Sequence, residues 1–515
     1  MNLLTSEDLI AAGYEPGPVI KDLLAKVADY EARGISDPKY ALKLLKRDVG
    51  APPPKHLMRE RPVALAEAIV PESKDERANV EAVRRQMHQL LKTPVIARGV
   101  ILPDACPAGK APAEIPVGGA IAVENAIIPS AHSADICCSM FATFYEERSS
   151  VAKELDALMS STRFGPEHRH LDDVVPDPVN DENVWQNRFL RGLRDRARTQ
   201  IADQGDGNHF AYLGEVEVDS ALLAMLRITG HGDLAARFEL KEEGAPKRYR
   251  VLVTHHGSRS LGAHVFKRGQ IAAEKHVARA AQHIPAAAAW LDAKSDTGRD
   301  YWDALQYVAR WTKANHRAIH RRFLERIGGR SVAEVGNEHN FVWQRGDTFF
   351  HGKGATPAWK DADGRPQLGL IPLNMAEPIL LVLGGDRDEF LSFAPHGAGR
   401  NLSRTAMRRQ FPDESSRRTA IERSTDGIDV RWFCGKPDLS ETPLAYKDAA
   451  KVKAQIREFG LAEVIAEIRP LGCIMAGDSG RSWRDREEKL TPKQKRQIEH
   501  RAERRRISRD LKDEW

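Results

Sequence analysis

The chain has 515 residues, of which 41% are hydrophobic and 29% are charged, and its formal net charge is +5. That composition is typical of a globular protein with a large buried core, and the mild positive charge permits nucleic-acid binding without requiring it. The sequence has neither an apolar run of about 20 residues, as a membrane span needs, nor a basic and apolar leader. We therefore expect a cytoplasmic protein with no membrane partner.

The cysteines are odd in number and unevenly spaced, which argues against a disulfide framework. They are Cys106, Cys137, Cys138, Cys434 and Cys473. This pattern favours a reducing compartment, in which free thiols are available to bind metal.

Three regions follow one another along the chain. From residue 1 to residue 94 apolar residues recur at helical spacing, so we predict a helical N-terminal region with a proline-rich joint at GAPPPKHLMRERP. Residues 95–477 alternate helical stretches with short β-like runs such as VIARGVILP, GGAIAVEN, RYRVLVTHHG and PILLVLGG. This alternation predicts one large α/β (mixed α+β) catalytic unit with mixed sheets.

Residues 478–515 are dense in charges of both signs and very poor in apolar residues. Such a segment is typical of a solvated or disordered tail. The alternative interpretation is a charged, basic helical arm that contacts nucleic-acid phosphates.

Four motifs in the middle of the chain combine a ligand-type side chain with Gly or Asn. They are SADICC (Asp135, Cys138), GDGNHF (Asn208, His209), VTHHGSRS (His255, His256) and GNEHNF (Asn337, His339, Asn340). Taken singly, a His at a strand end is typical of a hydrogen-bonded structural residue, and a lone Cys usually packs in the core. Their repetition at predicted strand ends favours a functional site, because α/β folds place reactive groups in such turns.

A mixed set of Cys, His and Asp ligands suits a transition metal such as Mn²⁺, Zn²⁺ or Fe²⁺. The sequence has no matched pair of Cys-x-x-Cys motifs, which disfavours a structural zinc knuckle. Because a thiolate can bridge two ions and the set is large enough for a pair, the sequence favours a two-metal site, an arrangement that serves phosphoryl transfer.

The stretch LSFAPHGAGRNLSR places His396 directly before Gly397, Ala398 and Gly399, with Arg400 after them. Glycine lets the backbone approach a ligand closely, and the planar fork of arginine can bind phosphate. From the residues alone, His396 is a phosphate contact, a metal ligand or a nucleophile.

The motifs DICC, GNHF, HHGSRSLG, EHNF, GKGAT and above all HGAGRNLSR resemble, in the same order, those of the RtcB family of RNA-splicing ligases. The resemblance, to a divergent member, runs from about residue 102 to residue 477. It implies a Mn²⁺- and GTP-dependent enzyme that joins an RNA 3′-phosphate or 2′,3′-cyclic phosphate end to a 5′-hydroxyl end, in tRNA splicing or RNA repair. The reaction would pass through a histidine–nucleotide intermediate, and archease becomes a candidate activating partner.

The same resemblance implies roles by motif position. It makes His396 the nucleophile. The implied ligands for two Mn²⁺ ions are Asp135, Cys138 (the bridge), His209, His255 and His339. Besides His396, the implied nucleotide contacts are Asn208, Asn340, Gly397, Ala398, Gly399, Arg400, Tyr446, Tyr212 and Met475. The implied contacts to a phosphate or an RNA end are Arg259 and Lys353.

The sequence departs from the family pattern at several positions. Cys106 stands where the family has a histidine, and Leu373 opens the LNM that replaces the family's GSM. Tyr212 stands where a glutamate reads the guanine edge, and Met475 where a lysine meets the nucleotide. The resemblance therefore implies intact metal and nucleophile sets and an altered base-reading set, so that the triphosphate used need not be GTP.

Other functions remain as alternatives. A related enzyme would cap an RNA 3′-phosphate with a nucleotide and rarely seal it. A protein of another class would bind RNA on the same scaffold without catalysis, and an unrelated metal-dependent phosphohydrolase is a further alternative. Retention of His396 favours an enzyme, because a protein that only binds RNA has little need of it.

Overall fold

The computed structural model describes residues 3–478, apart from 15, 16, 51, 53–55, 110 and 112. Three consecutive helices open this part, and helices and strands are interspersed after them. Its α-helices are α1 (Ser6–Ala11), α2 (Pro18–Ala32), α3 (Pro38–Asp48), α4 (Lys74–Leu90), α5 (Val151–Ser161), α6 (Arg194–Arg198), α7 (Ser220–Ile228), α8 (Gly232–Ala235), α9 (Arg259–Ala280), α10 (Asp296–Ile327), α11 (Arg404–Gln410), α12 (Glu414–Ser424) and α13 (Ala449–Glu458).

The strands include those predicted from VIARGVILP, GGAIAVEN, RYRVLVTHHG and PILLVLGG, which form β3, β4, β10 and β18. In chain order the strands are β1 (His56–Leu57), β2 (Leu65–Glu67), β3 (Ile96–Cys106), β4 (Val117–Glu124), β5 (Ala126–Ile127), β6 (Ser139–Tyr145), β7 (Arg163–Phe164), β8 (Asp203–Gly205), β9 (Phe210–Val218), β10 (Lys247–His256), β11 (Ala281–Gln282), β12 (Leu291–Asp292), β13 (Ala333–Glu338), β14 (Val342–Arg345), β15 (Thr348–Lys353), β16 (Ala355–Pro357), β17 (Leu368–Ile371), β18 (Ile379–Gly384), β19 (Phe393–Pro395), β20 (Asp429–Trp432) and β21 (Ala462–Met475).

The largest sheet has eight strands in the order β13-β6-β10-β9-β21-β18-β17, with β20 paired to β21. Strands along this path are antiparallel, whereas β20 runs parallel to β21. Its outer strands meet through one side chain: Asn337 of β13 accepts a bond from Leu370 N of β17 at 2.8 Å and donates to Leu370 O at 3.3 Å. The sheet therefore curls until its two edges approach each other.

A second sheet, in the order β14-β15-β4-β3-β2, is antiparallel except for the β2–β3 pair. Helix α4 lies against β3, and its apolar residues Val83, Met87 and Leu90 are fully buried in the main hydrophobic core. The two sheets and their helices confirm the predicted α/β fold with mixed sheets.

Helix α10 backs the largest sheet behind β6 and β10. It begins at the N-cap residue Ser295, whose hydroxyl accepts a bond from Gly298 N at 3.0 Å, and ends at Gly328 with a left-handed φ of 62°. Both caps are residue types favoured at these helix ends. Its face toward the sheet is buried and includes His316 and His320.

The predicted helical region 1–94 contains two differently packed parts. Helices α1, α2 and α3 share a hydrophobic core made only of residues 3–45, including Leu9, Leu23, Val27 and Leu45. By contrast β2 and α4 pack on β3. Among the described helices, none combines the length and apolarity that a membrane crossing requires. The predicted tail, residues 478–515, lies outside the described residues except for its first.

Candidate active site

Four neighbouring strands of the largest sheet end or begin at the same edge. The register pairs His255 of β10 with Met140 of β6 and with Phe210 of β9, and Asn337 of β13 also with Met140. Cys138 and His209 stand directly before β6 and β9, and His339 directly after β13. Because the strands are antiparallel and in register, this brings together ligand-type residues up to 201 positions apart, from Cys138 to His339. We call Asp135, Cys138, His209, His255 and His339 the donor edge.

The first group at the donor edge consists of Cys138, His255 and His339, all buried. Their ligand atoms converge: His255 Nε2 lies 3.2 Å from Cys138 Sγ and 3.1 Å from His339 Nε2. The backbone supports this arrangement, since His339 N donates to Cys138 O at 2.8 Å. His339 Nδ1 is buried without a hydrogen-bond partner among the described residues.

The second group consists of Asp135, Cys138 and His209. The other ring nitrogen of His209, Nδ1, lies 2.7 Å from Gln204 O and must carry the hydrogen of that bond, which leaves the lone pair on Nε2. Yet Nε2 lies 2.9 Å from Asp135 Oδ2 and 3.8 Å from Cys138 Sγ. Electron-rich atoms at such distances need a cation or an additional proton between them. The donor set therefore fits divalent metal, and Cys138 belongs to both groups, as a bridge requires.

The ionisation of these groups depends mainly on burial. Burial, with neighbouring His209, lowers the pKa of His255 to about 3, so its imidazole is neutral and available as a ligand. Burial acts to raise the pKa of Asp135, but the adjacent His209 holds it below its ordinary value. Burial and then Asp135 raise the pKa of Cys138 well above its ordinary value. A thiolate there would need the positive charge of a metal ion to stabilise it.

His256 and His255 are neighbours in the sequence but point to opposite sides of β10, because side chains alternate along a strand. His256 stacks on His316 of α10 with ring centroids 3.5 Å apart. Thr254 Oγ1 then links His316 Nδ1, at 2.6 Å, to His320 Nε2, at 2.8 Å. This buried network lies behind the donor edge and packs α10 on the sheet.

His396 lies next to the donor edge, with its ring centroid 4.8 Å from that of His339 and 16% of its side chain exposed. Its Nδ1 is 2.6 Å from Asp104 Oδ2 and 3.0 Å from Gly354 O. Because Gly354 O can only accept, Nδ1 carries the hydrogen and Nε2 carries the lone pair. Asp104 is fully buried. Sequence reasoning missed Asp104 as a functional residue, although it lies two positions before Cys106, where the sequence departs from the family pattern.

The loop around His396 packs closely on the Asp104 segment. Gly399 has φ of 73°, and a Cβ there would collide with Asp104 O, so only glycine fits. Lys447 is buried and its Nζ donates to Pro103 O at 2.7 Å and Ala105 O at 2.8 Å, on either side of Asp104. These contacts fix the carboxylate that orients His396. Gly397 and Ala398, also predicted at the site, belong to the same loop.

Arg400 is directed into the protein. Its guanidinium donates to Ser440 O at 2.6 Å and to Glu441 Oε2 at 3.3 Å, and it lies over the ring of Tyr446 at 5.3 Å. The Tyr446 hydroxyl donates to the same carboxylate at 2.9 Å. Arg404 pairs with Glu441 as well, at 2.5 Å. Glu441, which the sequence did not single out, is thus the acceptor that holds this cluster together.

The remaining polar residues predicted at the site have protein partners. Asn340 Oδ1 accepts from Gly354 N at 2.7 Å, and Asn208 O lies 3.2 Å from His255 Nδ1. Arg259 donates to Gly165 O at 2.7 Å. Lys353 donates to Ile115 O at 3.1 Å. Arg259 and Lys353 are only partly exposed.

Tyr212 and Met475 lie on the adjacent strands β9 and β21. The Tyr212 hydroxyl donates to Ile468 O at 2.9 Å within the core. Met475 packs with Met375 and Cys473, and the side chain of Phe210 lies against them. We call Phe210, Met375, Cys473 and Met475 the apolar wall. It presents no charged side chain at the positions where the sequence resemblance implies base contacts.

The chain matches the family model for tRNA-splicing ligase RtcB over residues 177–476, more than half of its length. The chain belongs to the RtcB family. This confirms the resemblance inferred from the ordered motifs. The match contains the histidines of the donor edge and His396, whereas Asp104, Asp135 and Cys138 precede it and reach the site through β3 and β6.

Its sequence identity to individual tRNA-splicing RtcB ligases is low, but the similarity extends over more than 300 residues. The chain is 24% identical to that of Aeropyrum pernix over 327 residues and 28% identical to that of Pyrobaculum aerophilum over 334 residues, and it spans 64% of the length of each. It is 26% identical to that of Thermococcus kodakarensis over 431 residues, which cover 69% of this chain and 84% of that protein. The chain is therefore a divergent RtcB protein.

Proposed function

We propose that the protein is an RNA ligase that joins RNA 3′-phosphate or 2′,3′-cyclic phosphate ends to 5′-hydroxyl ends through a nucleotide carried on His396, in tRNA splicing or RNA repair. The observation that carries the proposal is the buried pair of Asp104 and His396, 2.6 Å apart, beside the donor edge. The carboxylate fixes the tautomer that leaves the Nε2 lone pair free to attack, and His396 belongs to neither group of candidate metal ligands. We assign the activity to residues 95–477, with β2 and α4 packed against them.

In this proposal His396 Nε2 attacks the α-phosphorus of a nucleoside triphosphate. A P–N bond forms, the bond to the bridging oxygen breaks, and pyrophosphate leaves with the electron pair. As the imidazole ring becomes positive, Asp104 Oδ2 accepts the Nδ1 hydrogen bond and stabilises the charge. Two divalent ions, held by Asp135, Cys138, His209, His255 and His339, would neutralise the phosphate charge.

The later steps act on RNA, and a 2′,3′-cyclic phosphate is first hydrolysed by water to the 3′-phosphate. An oxygen of the RNA 3′-phosphate attacks the phosphorus on His396, so the P–N bond breaks and an activated RNA end forms. A 5′-hydroxyl then attacks the 3′-phosphate, forming the phosphodiester and releasing the nucleoside monophosphate. His396 leaves each cycle as neutral imidazole, and the hydrogen bond to Asp104 is ready to orient it again.

The apolar wall and Tyr212 support a further part of the proposal, that guanine is not required. A buried acceptor for the guanine N1–H and amino group is what would reject other bases, and Tyr212 instead gives its hydroxyl hydrogen to Ile468 O. We therefore expect GTP to be one of several substrates.

The first test is protein labelling by each of the four α-labelled nucleoside triphosphates with Mn²⁺. Acid-labile, base-stable label on the wild type, absent from His396→Ala, is expected and excludes a protein that only binds RNA. Label from GTP alone would keep the ligase but overturn the relaxed base preference. No label from any triphosphate would contradict the proposal, provided that the protein retains its metal.

The second test separates sealing from capping. RNA with a 3′-phosphate is supplied with or without a 5′-hydroxyl partner strand, and products are resolved by length. A joined product is expected. Accumulation of nucleotide-capped RNA with no joined product would support the capping enzyme instead. Adding archease then tests it as a partner: a faster labelling step would identify it as an activator, and an unchanged rate would exclude that role.

A further inference from the structure

Helix α3 presents a charged surface that the candidate active site does not use. Its buried side, Ala41, Leu44 and Leu45, faces the separate core of the three N-terminal helices. Its other side is exposed to solvent. We call this exposed surface the basic face of α3, and its residues are Lys39, Tyr40, Lys43, Lys46 and Arg47.

These residues form one continuous stripe. At about 100° per residue, all five lie within an arc of about 120° on the helix, and the rise from Lys39 to Lys46 is about 10 Å. Arg47 pairs with Asp48, at 2.7 Å. No acidic partner is found for Lys39, Lys43 or Lys46 among the residues that the structure describes. Three unneutralised cations are thus aligned on a helix.

The neighbouring helix α2 shows that a surface with basic residues alone is not general to the N-terminal helices. The exposed surface of α2 carries both signs, with Lys21 and Lys26 beside Asp22 and Asp29. On α3, by contrast, the basic face carries no acid and includes an aromatic ring, since Tyr40 is 49% exposed. An exposed tyrosine among lysines is the combination that binds unpaired bases and phosphates together.

We infer that the basic face of α3 binds single-stranded RNA, with the lysines on backbone phosphates and Tyr40 stacked on a base. The choice of RNA rests on the proposed function, whose substrates are RNA strand ends. The three helices have their own core, so the basic face of α3 belongs to a part of the chain distinct from the donor edge and His396. This adds a substrate-holding surface outside the catalytic residues.

The test measures binding of the full-length protein to a single-stranded RNA of 20 nucleotides with a 5′-phosphate and a 3′-hydroxyl, which it cannot join. The variant carries Lys39→Gln, Lys43→Gln and Lys46→Gln. The control carries Lys21→Gln, Lys153→Gln and Lys275→Gln, three exposed lysines on α2, α5 and α9, so the net charge change is the same.

We expect the α3 variant to bind RNA at least about 10-fold more weakly than the control at 0.1 M salt. Each lost contact to single-stranded RNA lowers the slope of log affinity against log salt by about 0.7, so the slope should become less steep by about 2. Equal affinities and slopes for variant and control would overturn the proposal. Binding of the wild type to anionic lipid vesicles but not to RNA would overturn it as well.

Tyr40 is tested separately because stacking does not depend on charge. Tyr40→Ala should weaken RNA binding about 5- to 100-fold with an unchanged salt slope, and Tyr40→Trp should restore it. Loss of binding in both variants would contradict the stacking role.

The outcome is independent of whether the proposed ligase reaction occurs. Labelling of His396 without RNA should be the same in the α3 variant and the wild type, and in ligation the KM for RNA should rise while kcat is kept. RNA binding that depends on the lysines in a protein without ligase activity would uphold the surface and reject the function. Ligation activity together with RNA binding that does not depend on the lysines would uphold the function and reject the surface.

Discussion

The donor edge and the apolar wall lie on the same sheet and share strand β9, yet they have opposite character. His209, just before β9, brings a ring nitrogen to within 2.9 Å of Asp135. Tyr212, three residues later, lies in the core, and Met475 on the paired strand packs against other apolar residues. A metal pair needs every donor in place, whereas base reading depends on single side chains that can change without shifting the strands. Substitutions in the wall therefore disturb the strands less than substitutions in the donor edge disturb a metal pair.

The largest effect should follow from removing the residue shared by both metal groups. Cys138→Ala takes the sulfur from both, so we expect loss of at least one bound ion and a fall in His396 labelling of more than about 100-fold. Metal content by mass spectrometry and labelling by GTP measure this. The matched control is Cys137→Ala, since Cys137 is equally buried but belongs to neither group. Full metal content in Cys138→Ala would mean that the bridge is elsewhere.

The next effect concerns the carboxylate that orients the nucleophile. Asp104→Asn keeps the size of the side chain but removes its charge and allows the wrong tautomer of His396. We expect labelling to slow by about 10²-fold, at the lower end of the range for a lost acid–base partner. Metal content should stay as in the wild type, which serves as the control for an intact site. A rate within a factor of three would show that Asp104 is only structural.

The apolar wall and the neighbouring Tyr212 can be tested by restoring the charges that the resemblance implies. Tyr212→Glu combined with Met475→Lys places an acceptor and a cation on adjacent strands, and we expect the ratio of GTP to ATP labelling to rise about 10-fold. Either single variant leaves an unpaired buried charge, so each should be less stable than the double variant. Labelling ratios and denaturant unfolding are the two measurements. An unchanged ratio in a folded double variant would place the base elsewhere.

The smallest effect per residue should come from buried histidines outside both regions. Burial lowers the pKa of His132 to about 4 and of His320 and His351 to about 3. His351 must be neutral, because its Nε2 accepts from Ile128 N at 3.0 Å. The folded state thus stays unprotonated while the unfolded chain binds protons below about 6.5. Stability is complete above that pH and is lost as the pH falls toward 4.

Each such histidine should lower the free energy of unfolding by about 1.4 kcal/mol per pH unit within this window. Denaturant unfolding of the metal-free protein at pH 6, 5 and 4 measures the slope. His351→Gln should reduce it by that amount, whereas His88→Gln, at an exposed position of α4, should leave it unchanged. Equal slopes in the two variants would contradict the assignment.

Much of this organisation was predictable from local patterns. Alternating apolar runs predicted β3, β4, β10 and β18, and the ligand-type residues at the ends of runs predicted which side chains would meet. The role of Asp104 was not predictable in the same way. Its partner His396 is 292 positions away, and no local spacing indicates a pair so distant in the chain.

The sequence by itself determined the class of fold, the family and the residue types of the donor edge, because motif order and strand periodicity are local properties. Only the tertiary structure decided that Arg400 faces Glu441, that His256 faces α10 and that Asp104 orients His396. Those outcomes depend on strand register and on loops that pack where hundreds of residues separate the partners. They are set by the geometry of the whole sheet, which no short stretch of the chain contains.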